Sequence, residues 1–218
     1  MSRGTPHLQL SRLEYPVEVL GYGRRAGIWL QGCTIRCAGC IAVDTWNPRG
    51  GLAMPVGDVV EWLATVAESG LDGVTISGGE PTDQPEALRA LLPAIRDRLG
   101  HDGLDILLFT GRTESWVTGV GRPVVSNADA VMAEPFVEEQ AGVRPLRGSD
   151  NQVLITFTEL GSDRYGVESQ LDDRRRIQVS VDDGELRFVG IPTAEAVAAI
   201  ATMAERTGLH LRGRSWGH

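Results

Sequence analysis

The stretch Ala26-Gly27-Ile28-Trp29-Leu30-Gln31-Gly32-Cys33-Thr34-Ile35-Arg36-Cys37-Ala38-Gly39-Cys40 reads as a short buried strand running straight into a ligand loop. An unbroken apolar run of this length fits a strand covered on both faces. The loop holds all three cysteines of the chain, spaced C-x3-C-x2-C within eight positions. Clustered thiolates are soft ligands that select iron–sulfur clusters, zinc or copper. Three cysteines leave one iron of a four-iron cubane open to a non-protein ligand. A Cys3His zinc site would need His7, His101, His210 or His218, and none lies at finger spacing. A disulfide framework would leave an odd thiol.

Outward from this stretch the pattern repeats. Leu8 to Leu13 alternates weakly and is expected to form an edge strand, and Gly21-Tyr22-Gly23 makes a turn. Pro55 introduces a helix with Val59, Trp62, Leu63 and Val66 on one face, with Gly70 at its stop. Gly73 to Ser77 is the second strand, and a second helix from Pro85 carries Leu88, Leu91, Leu92, Ile95 and Leu99. Pro93 is expected to kink or break that helix. Asp105–Phe109, Ala130–Ala133 and Val153–Phe157 give three further strands, with a short helix near Glu114 to Val117. Arg176–Val181 and Glu185–Val189 flank Asp182-Asp183-Gly184, a hairpin signal, and Thr193 caps a last helix bearing Val197, Ile200 and Ala204. Leu209 to His218 is expected to be irregular.

Strands alternating with helices predict a mainly parallel α/β sheet. A closed eight-stranded barrel takes about 250 residues, so four or five parallel strands plus a hairpin predict an incomplete, open (β/α) barrel. In such sheets ligands bind at the C-terminal strand ends. The cysteine loop, Gly78-Gly79-Glu80-Pro81, Thr110-Gly111-Arg112 and Glu134-Pro135 each follow a different strand, so all four are expected to face one site. The paired glycines suit backbone recognition of an amino-acid ammonium group, with Glu80 adding charge. Because glycine loop and cysteine loop follow different strands, a substitution at Gly79 is expected to spare the cysteines.

The C-x3-C-x2-C spacing followed by Gly-Gly-Glu-Pro resembles the radical S-adenosylmethionine (SAM) superfamily. The longer stretches Gly21–Arg25, Ile28–Cys33, Thr45-Trp46-Asn47, Gly73–Pro81 and Leu146–Gln152 are similar to the activating proteins of anaerobic ribonucleotide reductase, over roughly residues 8–157. The resemblance implies a curved partial barrel and a single [4Fe-4S] cluster held by Cys33, Cys37 and Cys40. It implies SAM bound by Gly78, Gly79, Glu80 and Pro81, with Thr110 and Gly111 near its ribose or carboxylate and Gly39 and Ile41 near its adenine. Arg147, Asn151 and Gln152 are weaker candidates for SAM, substrate or partner. A low-potential flavodoxin or ferredoxin would supply the electron, and a glycyl radical enzyme would be the partner.

The chain has 218 residues, a net charge of −8 and no lysine, its 21 basic residues all being arginine. This length is expected to form one domain, with a core over about 8–157 and an extension over about 158–218. The acidic balance argues against nonspecific nucleic-acid binding, and Arg174-Arg175-Arg176, after Asp172-Asp173, reads as a solvated turn. No apolar run is long enough for a bilayer, and Met1 to Tyr15 lacks a secretory core. A cytoplasmic protein is expected, in keeping with reduced thiols. Three functions stand open: activation of a glycyl radical partner, radical modification of a small molecule or peptide, and a noncatalytic metal-binding module.

Overall fold

The structure, a computed structural model, describes residues 6–142, 144–167, 177–182 and 185–208. The readings made for Arg174-Arg175-Arg176, for the Asp183-Gly184 turn and for the tail lie outside the described residues.

Seven strands form one open sheet in the order β3-β1-β2-β4-β5-β6-β7. They are β1 (His7–Val17), β2 (Arg25–Leu30), β3 (Leu52–Pro55), β4 (Gly73–Gly78), β5 (Asp105–Phe109), β6 (Ala130–Ala133) and β7 (Val153–Thr156). The four central strands β2, β4, β5 and β6 run parallel. β1 joins β2 antiparallel, β3 joins β1 antiparallel, and β7 joins β6 antiparallel. The fifth strand is therefore present but reversed, and the parallel set holds four. β3 and β7 are the two edges, so the sheet does not close on itself.

Two sequence expectations need correction. Leu8–Leu13 lies within a longer strand that is not an edge, because β3 pairs with its outer side from His7–Pro55 to Leu10–Leu52. β3 escaped the sequence because it has four residues, no alternation and a terminal proline. Pro93 does not break its helix: α2 (Pro85–Leu99) is continuous through it. Burial of Leu88, Leu91, Leu92 and Ile95 stabilises the turns on both sides of the missing amide.

The period-two alternation of the strands separates two faces. Ile28, Leu30, Val74, Ile76, Ile106, Leu108 and Val131 point into one apolar cluster with α2 and α1 (Val56–Ala67), whose Val59 and Leu63 are fully buried there. The opposite face carries Trp29, Leu107, Phe109 and Ala130. Part of it is covered by Tyr165 of α4 (Glu159–Tyr165). Another part is covered by the expected hairpin, β8 (Ile177–Asp182) and β9 (Glu185–Gly190), whose Val189 packs with Val17, Leu20 and Trp29. Gln178 fastens this hairpin to the sheet: its amide accepts from the Glu18 N–H at 3.0 Å and donates to the Pro16 carbonyl at 2.6 Å. The last helix, α5 (Ala194–Thr207), begins as expected at Thr193, whose hydroxyl accepts from the Ala196 N–H. The short helix α3 (Glu114–Thr118) is likewise capped by Thr113.

Candidate metal and cofactor site

The chain leaves β2 at Leu30 and enters the cysteine loop through Gly32. The Gly32 N–H donates to the Thr45 carbonyl at 2.7 Å and the Cys33 N–H to the Trp46 carbonyl at 3.3 Å, so the two ends of the loop are stitched together. Cys33, Cys37 and Cys40 are half-buried, and none is in a disulfide. Burial pushes the Cys33 and Cys37 thiols up, against backbone hydrogen bonds from Arg36 and Ile35 at Cys33 and from Phe136 at Cys37. Thiolate ligation therefore requires a metal charge to displace the protons.

The next loop is bound directly to the first. The Gly79 N–H donates to the Leu30 carbonyl and the Glu80 N–H to the Gly32 carbonyl, both at 2.8 Å. A Cβ on Gly79 would lie 2.1 Å from the Gly32 carbonyl oxygen, and one on Gly78, at φ +113°, would meet Leu30 backbone. These glycines are thus demanded by contact with the backbone leading into the cysteines, which corrects the expectation that the two loops are independent.

Glu80 is buried and turned into the protein. Its Oε1 accepts from Thr82 N–H (2.9 Å), Thr82 Oγ1 (2.7 Å) and Thr110 Oγ1 (2.7 Å), and its Oε2 from Gly111 N–H (2.8 Å). The carboxylate ties the Gly-Gly-Glu-Pro loop to the Thr110-Gly111 loop. Asp83 adds a second tie: it accepts from Thr34 N–H at 2.7 Å and Thr34 Oγ1 at 2.9 Å, and pairs with Arg112 at 2.7 Å. Arg112 also donates to Thr82 Oγ1 at 3.1 Å. Asp83 was not among the sequence candidates, and Arg112 was read only as part of a loop expected to face the site, with no role of its own. The signal for Asp83 was position alone, directly behind Gly78-Gly79-Glu80-Pro81.

A cavity of about 550 Å³ opens where these loops meet. Of the sequence candidates, Cys33, Cys37, Gly39, Cys40, Ile41, Gly78, Gly79, Glu80, Thr110, Gly111 and Gln152 line it. Pro81 is buried behind its loop, and Arg147 and Asn151 stand off the wall. Arg147 donates to the Gln152 carbonyl at 2.7 Å and Asn151 to the Pro135 carbonyl at 2.9 Å, while Gln152 Oε1 accepts from the Gly148 N–H at 2.7 Å. The three brace the loop ahead of β7. Trp46, Phe136 and Glu138 also line the cavity, as do Ile191 and Pro192 from the segment joining β9 to α5. The Glu138 carboxyl carbon sits 2.8 Å from where a Gly39 Cβ would be, and Gly39 has φ +69°. That wall comes from residues distant in sequence, so periodicity carried no sign of it.

The donor set fits a cubane better than a single ion. Among the described residues no three His, Cys, Asp or Glu side chains are grouped to hold one metal ion. Three thiols around one cavity suit three separate irons of a cluster, whose ligands need not converge on a point.

An open α/β sheet with three thiols at the end of its first parallel strand defines a protein equipped to hold a soft, thiolate-bound metal centre. Residues 19–155 match the family described as 4Fe-4S single cluster domain. The anaerobic ribonucleoside-triphosphate reductase-activating protein of Vibrio cholerae is 30% identical over 150 residues, 66% of this chain and 96% of that protein. That of Enterobacteria phage T4 is 28% identical over 148 residues, 66% of this chain and 92% of that protein. The pyruvate formate-lyase-activating enzyme of Clostridium pasteurianum is 36% identical over 141 residues, 63% of this chain and 56% of that enzyme. The chain belongs to the 4Fe-4S single-cluster family and, within it, to the radical SAM activating proteins.

Proposed function

We propose that Cys33, Cys37 and Cys40 hold one [4Fe-4S] cluster, that the cavity beside them takes SAM, and that the protein activates a glycyl radical enzyme, in the manner named for its relatives. The observation that carries this reading is the meeting of the three thiols with the Gly78–Glu80 and Thr110-Gly111 loops around one cavity. Its charge supports the same ligand: among the described residues, the charged ones lining it are Glu80, Glu134, Glu138 and Glu195, all carboxylates. SAM carries a sulfonium and an ammonium group, and a negative wall favours both. A cluster held by Cys33, Cys37 and Cys40 would supply the one electron whose transfer to bound SAM yields methionine and a 5′-deoxyadenosyl radical.

The chain's own part is binding, orientation and exclusion of water. Backbone groups of Gly78 and Gly79 receive the amino-acid end of SAM, with Pro81 stiffening the turn. Thr110 and Gly111 stand at the ribose or carboxylate. Gly39 and Ile41 lie against the adenine. Gln152 is a further candidate contact, in a loop braced by Arg147 and Asn151. Glu80 acts by locking two loops, since both of its oxygens are engaged. The open sheet is read as the curved partial barrel of radical SAM proteins, and the extension as part of the same domain, supported by the seat of Val189 on Trp29. A flavodoxin or ferredoxin is the proposed electron donor and the cytoplasm the proposed compartment. Among the described residues no helix is long and apolar enough to cross a membrane.

A second reading, radical modification of a small molecule or peptide, is favoured by one feature. Ile191 and Pro192 line the cavity yet lie beyond the family match, which ends at residue 155. One experiment separates the two. Iron-loaded protein is incubated anaerobically with SAM, dithionite and an anaerobic ribonucleotide reductase deuterated at glycine Cα. A glycyl radical signal with deuterium in the 5′-deoxyadenosine supports activation. Deoxyadenosine without either points to another hydrogen donor.

A further inference from the structure

Among the described residues, five buried side-chain nitrogen or oxygen atoms lack a hydrogen-bond partner: Arg12 Nε, Glu14 Oε2, Trp46 Nε1, Arg122 Nη1 and Asn151 Oδ1. Arg12 and Glu14 face each other as an ion pair at 3.8 Å. Arg122 Nη1 belongs to a guanidinium stacked on Phe157. Of the five residues, only Trp46 lines the cavity. An indole N–H is a donor with no acceptor capacity, and leaving it buried without a partner is unfavourable. Such a group in an otherwise well-bonded site calls for an acceptor that the described residues do not supply.

Trp46 is also firmly held. It follows a 3-10 turn, Val43–Thr45, and its backbone N–H donates to the Val43 carbonyl at 3.1 Å. Its own carbonyl accepts from the Cys33 N–H, so its backbone is pinned to the first cysteine. The preceding residue, Thr45, is buried, and its carbonyl accepts from Gly32. Trp46 is thus held by its backbone beside the cysteine loop and lines the cavity with its indole nitrogen buried. The proposed function brings acceptors to this cavity on SAM and on the cluster, and the backbone bond from Cys33 to Trp46 ties this residue to the cluster's own ligand loop.

We propose that Trp46 Nε1–H donates a hydrogen bond to a sulfur of the [4Fe-4S] cluster and so helps set its reduction potential. This rests on the cluster assignment made above. A hydrogen bond to a cluster sulfur stabilises the more negative, reduced state and raises the potential. Trp46 is here a positioning and tuning residue, since it acts on the cluster and not on the reacting carbon. The indole N–H makes no hydrogen bond among the described residues, so replacing it removes no hydrogen bond from the protein itself.

The test is Trp46→Phe in the full chain, reconstituted anaerobically and titrated without SAM. The expected result is unchanged iron content with a more negative cluster potential. An unchanged potential overturns the proposal, with water as the acceptor. So does a loss of SAM affinity with the potential unchanged, which makes SAM the acceptor. Should the variant fail to fold, the wild-type protein still decides: grown on indole-15N tryptophan, its reduced cluster should show a 15N coupling in pulsed electron–nuclear spectra. Absence of that coupling overturns the proposal. Failure of the wild-type protein to take up iron would instead reject the cluster assignment itself.

Discussion

Gly79 shows how much a single hydrogen atom decides at this site. Its α-carbon faces the Gly32 carbonyl so closely that a Cβ would stand 2.1 Å from the oxygen, with the Thr45 carbonyl at 3.0 Å. Backbone cannot yield as a flexible side chain can. Gly79→Val is therefore expected to displace Gly32 and with it Cys33, so the reconstituted variant should lose iron as well as SAM binding. Iron content measured against wild type checks this, and a fully iron-loaded variant that merely binds SAM poorly would contradict it. The glycine pair was legible as a motif in the sequence. What it touches was not, because close approach depends on a partner strand whose neighbour is fixed only by folding. Glu80 repeats the lesson. Its charge suggested a ligand for an ammonium group, whereas its two oxygens are occupied by Thr82, Thr110 and Gly111.

Among elements, the sheet end opposite the cavity is tied by buried ion pairs, of which Arg25–Asp105 is fully enclosed. Arg25 opens β2 and Asp105 opens β5, and the guanidinium reaches across β4 to bond both carboxylate oxygens, at 2.9 and 2.8 Å. Both side chains are completely buried. Arg25 also donates to Thr75 Oγ1 and to the Val74 carbonyl, and Asp105 accepts from Tyr165 and Arg164. Burial alone would raise the Asp105 pKa. The charge of Arg25 and the hydrogen bonds from Arg25, Arg164 and Tyr165 together outweigh it and hold the carboxyl below the ordinary 3.8. A carboxyl depressed by folding stabilises the protein above 3.8, and that contribution is lost as pH falls through the folded pKa. Asp105→Asn leaves Arg25 buried and unpaired, at a cost of about 3–5 kcal/mol near neutral pH. Urea unfolding should show that gap shrinking below pH 3.8, and a gap independent of pH would contradict the assignment. Element identity was largely legible: apolar runs placed β2, β4, β5 and β6, and Thr193 placed the start of α5. The direction of β7 was not, because a four-residue apolar strand reads the same either way. β3 was hidden because its pairing, not its composition, makes it a strand.

The whole molecule places its thiols, glycine loops and C-terminal segment at one end of a sheet whose other end is locked by Arg25 and Asp105. Strand order from sequence was enough to foresee four loops facing one way, since parallel strands leave no other arrangement. The contribution of Ile191 and Pro192 was invisible, because the hairpin that carries them docks through Val189 and Gln178 on residues near the start of the chain. The central claim is that these parts together form a single-cluster site that cleaves SAM. Its most direct test is formation of 5′-deoxyadenosine by anaerobically reconstituted, dithionite-reduced protein, set beside Cys37→Ala. The account predicts about four irons per chain, SAM-dependent deoxyadenosine from the wild type, and none from the variant. Wild-type protein that carries its four-iron cluster and binds SAM but releases no deoxyadenosine, or a Cys37→Ala protein that matches it, would contradict the account.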